Sequence, residues 1–281
     1  MTSEHNDTYY QTSEQRPIRN EFDSKRIVKR DFWLIPTYLV MNIVFPLILT
    51  FIVMGIISGI TGGHISESKF TKYYLGYAQV FTLIGQCLVL VVFYLMHRKT
   101  IIPIAISRFK ALKKHIPLII IVMVALYLLQ GAYGYLMEFL PKQYQFDDTE
   151  NNKMIIKMFE INWLWPVLFL DIVIITPFVE ELLFRHLLIH ELGKKLTYGV
   201  MYVVSVLGFA GLHMTSASSP FEVGPYLIMA TGFVVAYHLS GRNLAMTITL
   251  HMINNFISFI AIIMSLSLIH ISEPTRQAEI S

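Results

Sequence analysis

Residues 33–60, WLIPTYLVMNIVFPLILTFIVMGIISGI, form an apolar stretch without a single charged side chain. About 20 such residues allow a helix to cross the hydrocarbon core of a bilayer. Six further apolar segments follow, at about 73–97, 116–140, 161–192, 197–213, 223–240 and 243–269. The sequence therefore predicts an all-α fold, a polytopic membrane helical bundle with about seven transmembrane helices.

The composition of the 281-residue chain supports this fold class. Hydrophobic residues make up 54% of the chain and charged residues only 15%, with a mean hydropathy of +0.55, whereas soluble domains carry roughly 25% charged residues. These values exclude a soluble enzyme and a disordered chain. The net charge of +3 is small, and no basic stripe alternates with aromatic residues, so no nucleic-acid partner is expected. The expected partner is the lipid bilayer.

The polarity of the sequence divides the chain into three parts. Residues 1–32 are predicted to be a largely unstructured, cytoplasmic polar tail, and residues 33–271 the transmembrane bundle. Residues 272–281 are abruptly polar and represent a polar tail or a remnant of cloning. Cys87, the single cysteine, lies inside an apolar run, so no intrachain disulfide and no thiolate metal site are possible.

Basic residues alternate between the two sides of the predicted bundle. Residues 1–32 and the connections 98–115, 193–196 and 240–243 together hold 15 Lys and Arg, whereas the alternate connections hold six. The positive-inside rule then places the N-terminus in the cytoplasm of a cell membrane. Residues 98–115 mix isoleucines with bases and are predicted to lie along the membrane interface as an amphipathic connector; a plain cytosolic loop is the alternative.

Ionisable side chains inside a span are costly and need an explanation. Glu181 and Arg185 are four residues apart and share a helix face, so they can pair. Glu180 points about 100° away from Glu181 and lacks that partner, which makes it a candidate proton acceptor. A purely structural ion-pair network is the alternative.

Further polar residues lie at His213, which ends the fifth span, and at His251 and Asn255, which share a face of the last span. Interfacial placement and interhelical hydrogen bonds are the alternatives for these three. Glu180 and His213 each lie about 24 Å from the turn at 194–196, whereas His251 lies only about 15 Å from the turn at Gly241. The first two side chains are therefore expected at one level, and His251 needs tilt to join them.

Four other ionisable residues are expected to have structural roles. Asp171 lies nine residues before Glu180, on the opposite face of an unkinked helix, and is interpreted as a structural or interfacial acid. His186, His190 and His238 lie near the cytoplasmic side and are expected to be solvated or hydrogen-bonded there.

The order of these motifs resembles the CAAX protease and bacteriocin-processing family of intramembrane proteases, which carries EExxxR, FxxxH and HxxxN or HxxxD on separate helices. The matching residues lie within about 175–260, the motif core of the bundle. They are the Glu180–Arg185 segment, the Phe209–His213 segment and the His251–Asn255 segment. Many bacterial members place Gly after the Arg, where this chain has His186.

The resemblance implies hydrolysis of a peptide bond within or beside the bilayer, in a helical bundle whose polar cavity opens to the cytoplasmic side. By motif position, Glu180 would be the general base that activates water, and His213 its partner. His251 and Asn255 would hydrogen-bond the oxyanion. A preformed set of donors suits that role, because negative charge develops on the carbonyl oxygen during amide hydrolysis.

The resemblance also bears on supporting residues and on metal. Arg185, with Glu181, would brace the site. Some members of the family have been labelled metalloproteases, and Glu and His are acceptable zinc ligands. The chain has no HExxH pair, however, and Asn is a poor zinc ligand. We expect glutamate-activated water with no required cofactor, and zinc remains the alternative.

Two other functions compete with the protease. One is a non-catalytic relative that acts as a membrane interaction or bacteriocin-immunity protein. The other is a transporter, which should show repeated halves with broken helices; no such repeat is found. The expected partner is a peptide or protein substrate at the membrane, with prenylated proteins, signalling-peptide precursors and bacteriocin leaders all compatible. The short loops favour a bacterial source, and the sequence does not indicate the oligomeric state.

Overall fold

The structure is a computed structural model that describes residues 21–278, with side chains described as far as residue 267. This part of the chain is helical and contains no strand. Eight helices form a bundle: α1 (Lys29–Ile60), α2 (Glu67–His97), α3 (Ile101–Met137), α4 (Glu150–Phe159), α5 (165–196), α6 (Tyr198–Leu212), α7 (Val223–Leu239) and α8 (Leu244–Ala278). The predicted fold class is confirmed.

Each of the seven predicted segments corresponds to a helix, and α4 is the one helix that the sequence analysis did not anticipate. Among the described residues, α1, α2, α3 and α8 are long and apolar enough to cross a membrane. Helix α6 is apolar but has only 15 residues. Helix α5 carries the charged motif. The count of seven crossings therefore stays a prediction.

Helix α5 departs from regular α-helical geometry in two places. Phe169–Ile175 and Leu182–Leu192 are π-helical, with the α-helical turn Thr176–Glu181 between them. Pro177 lies in that turn and has no N–H to donate, so it interrupts the hydrogen-bond ladder. Because π-helical turns concentrate at functional sites, the irregular part of α5 marks the region of interest.

Residues 21–32, which the sequence analysis assigned to an unstructured tail, are folded against α2 and α5. The Asp31 side chain is fully buried and lies 2.8 Å from His97 Nε2 and 2.7 Å from His186 Nε2. The Val28 N–H donates to Glu191 Oε2 at 2.7 Å. A buried carboxylate needs such partners, and the histidines supply them. Residues 1–20 lie outside the described part of the chain.

The other expected structural histidines are also hydrogen-bonded. His190 Nε2 lies 2.8 Å from the carbonyl oxygen of Phe22, and His238 Nδ1 lies 2.9 Å from the Tyr202 hydroxyl. At the other end of the chain, α8 continues through most of the predicted polar tail to Ala278, and residues 279–281 lie outside the described range.

The segments rich in basic residues meet at one end of the bundle. The amphipathic connector is helical over Ile101–Ala111, which favours it over a plain loop. The Asn243 side chain donates to the Arg108 carbonyl at 3.0 Å, and Lys194 Nζ lies 3.4 Å from the Arg26 carbonyl. We call this the basic end: residues 21–33 and the connections 98–115, 193–196 and 240–243.

The opposite end of the bundle, formed by residues 138–149 and 213–222, is organised around a carboxylate. Glu222 is 1% exposed and accepts hydrogen bonds from the backbone N–H groups of Glu150, Ser218 and Ser219 at 2.8–3.0 Å. Burial alone would raise the pKa of Glu222, but these donors hold it below its ordinary value. The carboxylate therefore joins α4 to the start of α7.

Acid should weaken this junction. Since the pKa of Glu222 is lower in the folded protein than its ordinary value of 4.5, its stabilisation is complete above that value and is lost as the pH falls through the folded pKa. We expect the Tm of wild type to fall by a few degrees more than that of Glu222→Gln between pH 7 and about pH 4. Parallel Tm profiles, recorded in one detergent, would contradict this role.

Candidate active site

The predicted ion pair between Glu181 and Arg185 is present at the centre of the bundle. Arg185 Nη1 donates to Glu181 Oε1 at 2.9 Å, and both side chains are fully buried. The guanidinium carbon lies 4.9 Å from the Phe209 ring centroid and 5.6 Å from that of Phe233. The aromatic faces stabilise the cation where water is excluded, so this pair is part of the core.

His251 connects α8 to both glutamates of α5. Its Nδ1 lies 3.0 Å from Glu181 Oε1, and its Nε2 lies 3.8 Å from Glu180 Oε2. The first distance corresponds to a hydrogen bond. The second is short enough for an ion pair but too long for a hydrogen bond. His251 therefore contacts the two glutamates although the sequence placed it at a shallower depth.

Glu180 is the unusual member of the group. It is 9% exposed, and neither of its carboxylate oxygens makes a hydrogen bond with a described residue. Glu181, in contrast, accepts a hydrogen bond through Oε1 and leaves only its Oε2 unpartnered. An unsatisfied buried polar atom costs roughly 1–3 kcal/mol, and more when it is charged. Glu181 and Asp171 also have a buried oxygen without a partner, but of the three acids only Glu180 lines a cavity.

A polar cavity of about 600 Å³ lies beside Glu180. Helices α3, α4, α5, α7 and α8 and residues 146–149 contribute to its walls. All four residues predicted as catalytic line it: Glu180, His213, His251 and Asn255. Three motifs that are far apart in the sequence therefore face one cavity.

His213 lies at the C-terminal end of α6 and is held by aromatic neighbours. Its Nδ1–H donates to the Phe209 carbonyl at 2.8 Å, and its ring stacks on Tyr226 with centroids 4.6 Å apart. This bond leaves Nε2 as the ring's acceptor. Among the described residues, no hydrogen bond or ion pair joins His213 to Glu180. The histidine in contact with the doublet is instead His251.

Asn255 has a structural bond in addition to its place in the cavity. Its Nδ2 donates to the Ile172 carbonyl at 2.9 Å. In a π-helix the donor to this carbonyl would be the N–H of residue 177, which is a proline, so the amide of Asn255 supplies the missing donor. Asn254 also lines the cavity and donates to Asn255 Oδ1 at 3.2 Å. One N–H of Asn255 remains available.

The sequence analysis missed several residues of the cavity. Tyr226 lines it and exchanges a 2.9 Å hydrogen bond with Thr149, and Asp147 and Asp148 extend its lining to the opposite end of the bundle. The spacing of residues in the sequence gives no reason to expect that residues 147–149 contact α7. Asp171 does not line the cavity; it is 3% exposed and accepts a hydrogen bond from the Gln79 side chain, as expected of a structural acid.

The donor atoms in the cavity fit a zinc ion poorly. Catalytic zinc takes three protein ligands, and the Nδ1 bonds of His251 and His213 leave both Nε2 atoms free to bind a metal. The ligand atoms of Glu180, His213 and His251 nevertheless do not all lie within 4.8 Å of one another. Within the described residues, one group brings three ligand atoms within 4.8 Å of one another: Asp31, His186 and Glu191. That group lies at the basic end, where Lys194 Nζ already contacts Glu191 Oε1 at 2.6 Å.

A second, apolar cavity of about 250 Å³ lies at the basic end. Phe178 and Leu182 of α5 line it, whereas Thr176 and Glu180 line the polar cavity, so the two cavities lie on different faces of α5. The buried Glu181–Arg185 pair lines neither. The polar cavity instead reaches Asp147, which is exposed at the opposite end.

The direction of the polar cavity sets two expectations against each other. The family resemblance implies an opening to the cytoplasm, and the distribution of Lys and Arg puts the cytoplasm at the basic end. Because the cavity extends to the opposite end, at most one of these two expectations holds for this chain.

The bundle has four described helices that are long and apolar enough to cross a membrane, which indicates a multi-pass membrane protein. Residues 162–257 match the model of a family described as type II CAAX prenyl endopeptidase Rce1-like. The match contains all three motifs and confirms the resemblance to the CAAX protease family. This family is a protease family, which supports peptidase activity on a peptide or protein at a membrane. No curated protein and no solved structure gives a significant match to the chain.

Proposed function

We propose that this protein is an intramembrane endopeptidase that hydrolyses a peptide bond of a membrane-associated peptide or protein. One observation carries the proposal: the buried, unpartnered Oε2 of Glu180 lies in a cavity that His213, His251 and Asn255 also line. The charge distribution supports a cell-membrane location with the N-terminus cytoplasmic. No cofactor is required in this mechanism.

In the first step Glu180 acts as general base. A water molecule in the cavity transfers a proton to the Glu180 carboxylate as its oxygen attacks the carbonyl carbon of the substrate. The free Nε2 of His213 can accept the second water hydrogen and orient the nucleophile. The hydrogen bond from His251 to Glu181 fixes the imidazole ring next to the two glutamates. The reacting groups are therefore held in place by helices, which favours a productive geometry.

In the second step the tetrahedral intermediate collapses. Its oxyanion accepts hydrogen bonds from the remaining N–H of Asn255 and from the Nε2–H of a doubly protonated His251, whose Nδ1–H stays bonded to Glu181. These bonds strengthen as negative charge develops. The C–N bond breaks, and the proton held by Glu180 passes to the leaving nitrogen. The products are a new carboxyl group and a new amine, so one water is consumed for each bond cleaved.

The direct test is to incubate the purified protein in detergent with candidate membrane-active peptides and to determine the masses of the products. We expect two fragments whose summed mass exceeds the substrate by one water, and none with Glu180→Gln. A wild-type preparation that is folded by Tm and leaves every peptide intact would contradict the proposal.

Asn255→Ala should lower kcat by about a hundredfold, because an oxyanion donor acts mainly in the transition state. The variant should also lower Tm, since the Ile172 carbonyl loses its donor. Asn254→Ala is the matched control from the same cavity wall and should lower kcat much less. If both variants reduce kcat equally, Asn255 has no special role in stabilising the oxyanion.

Chelation should leave the activity largely intact. The expected mechanism uses no metal, and the available donors fit zinc poorly. Peptide cleavage is to be measured after exhaustive dialysis against a chelator, with and without added zinc. Activity that disappears and returns with one equivalent of zinc would identify a metalloprotease instead.

A further inference from the structure

We infer that the substrate is a peptide with a cationic segment beside the scissile bond, and that it enters the polar cavity from the end of the bundle opposite the basic end. This inference rests on the proposed function and specifies its substrate class. It follows from where the cavity leads and from the charges along it.

The first argument is the path of the cavity. It runs from Glu180 and His251 to the exposed Asp147, and none of its described lining residues belongs to residues 21–33 or to the connections 98–115, 193–196 and 240–243. At this end the hydrogen bonds to Glu222 join α4 to the start of α7. By the count of Lys and Arg, that end faces away from the cytoplasm.

The second argument is the sign of the charge. The described lining of the cavity includes Asp147, Asp148 and Glu180 but no Lys or Arg. Asp148 is occupied by the Thr149 N–H at 2.8 Å and by the Asn152 side chain. Asp147 makes no hydrogen bond or ion pair in the described part of the chain. Lys153 of α4 interacts with it electrostatically, but the Lys153 ammonium is paired with Glu150 at 2.9 Å, so the Asp147 carboxylate remains open to a further cation at the entrance.

These charges discriminate between kinds of peptide. A free C-terminal carboxylate close to the scissile bond would enter a cavity whose fixed charges are negative, and like charges repel there more strongly than in water. A Lys or Arg side chain would be attracted by the same groups. The structure therefore favours an internal bond of a cationic peptide over a bond next to a free C-terminal carboxylate.

The bases at the other cavity strengthen the contrast. Arg108 and Arg242 line the apolar cavity at the basic end, and the Glu181–Arg185 pair, which lines neither cavity, is fully buried. A carboxylate that approached from the basic end would find cations there but no polar cavity leading to Glu180.

The charge preference is tested in detergent, where both ends are accessible. Peptides of one sequence carry either two Lys or two Gln next to the scissile bond, each with an amidated or a free C-terminus. We expect kcat/KM to be about three- to tenfold higher for the Lys peptide, as exposed ion pairs give. Asp147→Asn should reduce this preference, whereas Glu160→Gln, the same change at an exposed acid outside the cavity, should not.

Equal kcat/KM values for the Lys and Gln peptides, or a preference for the free C-terminus, would overturn the inference while leaving the endopeptidase intact. Failure to cleave any of the peptides would count against the proposed function itself. The side of entry is tested with a membrane-impermeant Lys peptide and vesicles of known orientation. Cleavage is expected on the face opposite the N-terminus, and cleavage only on the N-terminal face would refute it.

Discussion

Glu180→Gln should reduce peptide hydrolysis by about a thousandfold or more while leaving the Tm unchanged. The amide has nearly the same shape as the carboxylate but cannot accept the proton of water, and loss of a general base costs roughly 10²- to 10⁴-fold. The Oε2 atom has no hydrogen-bond partner to lose. Turnover by single-time-point mass analysis and a thermal melt on the same preparation measure both quantities.

Two outcomes would contradict this assignment. Cleavage at the wild-type rate would remove Glu180 from the mechanism. A large fall in Tm would show that the carboxylate stabilises the fold, and the loss of activity would then carry no information about catalysis. Glu160→Gln provides the control for a change from acid to amide at an exposed residue that does not line the cavity.

Glu181→Gln should instead destabilise the protein by about 3–5 kcal/mol, the usual cost of leaving one member of a buried ion pair unpaired. Arg185 would keep its charge in a fully buried position, and His251 would face an amide in place of the carboxylate that orients it. Activity should fall along with stability. Denaturant unfolding in mixed micelles, compared directly with Glu180→Gln, measures the difference.

A second substitution separates charge from packing. Glu181→Gln combined with Arg185→Met removes both charges and should recover much of the lost stability, because well-packed apolar replacements for buried ion pairs are often neutral. If Glu181→Gln and Glu180→Gln are equally stable, the assignment of a catalytic role to Glu180 and a structural role to Glu181 is wrong.

The sequence was sufficient for features that depend on local spacing. Hydropathy placed seven of the eight helices, and the four-residue spacing of Glu181 and Arg185 predicted their ion pair, because a helix brings such residues onto one face. Motif order also predicted that Glu180, His213 and His251 share a site. The position of α4 was missed because its polar sequence resembles a connection.

Contacts between distant segments were beyond the reach of spacing rules. Asp31 was assigned to a tail because its buried partners, His97 and His186, follow it by 66 and 155 residues. Depth arithmetic assumed regular α-helices, and the π-helical turns of α5 change both the rise and the direction of its side chains. The estimate put Glu180 and His213 at one level, and both line the polar cavity. It did not predict that the histidine in contact with the glutamates is His251.

The fully buried Glu181–Arg185 pair lines neither cavity, and this has a consequence for the membrane as a whole. A hydrolase must admit water to its reacting groups, yet a continuous file of water from one face to the other would carry protons and dissipate the electrochemical gradient. Here the polar chamber reaches one end of the bundle, and the chamber at the other end is apolar. The Phe209 and Phe233 rings that pack on Arg185 likewise line neither chamber. The proposed hydrolysis would thus proceed inside a bilayer without opening a path for protons across it.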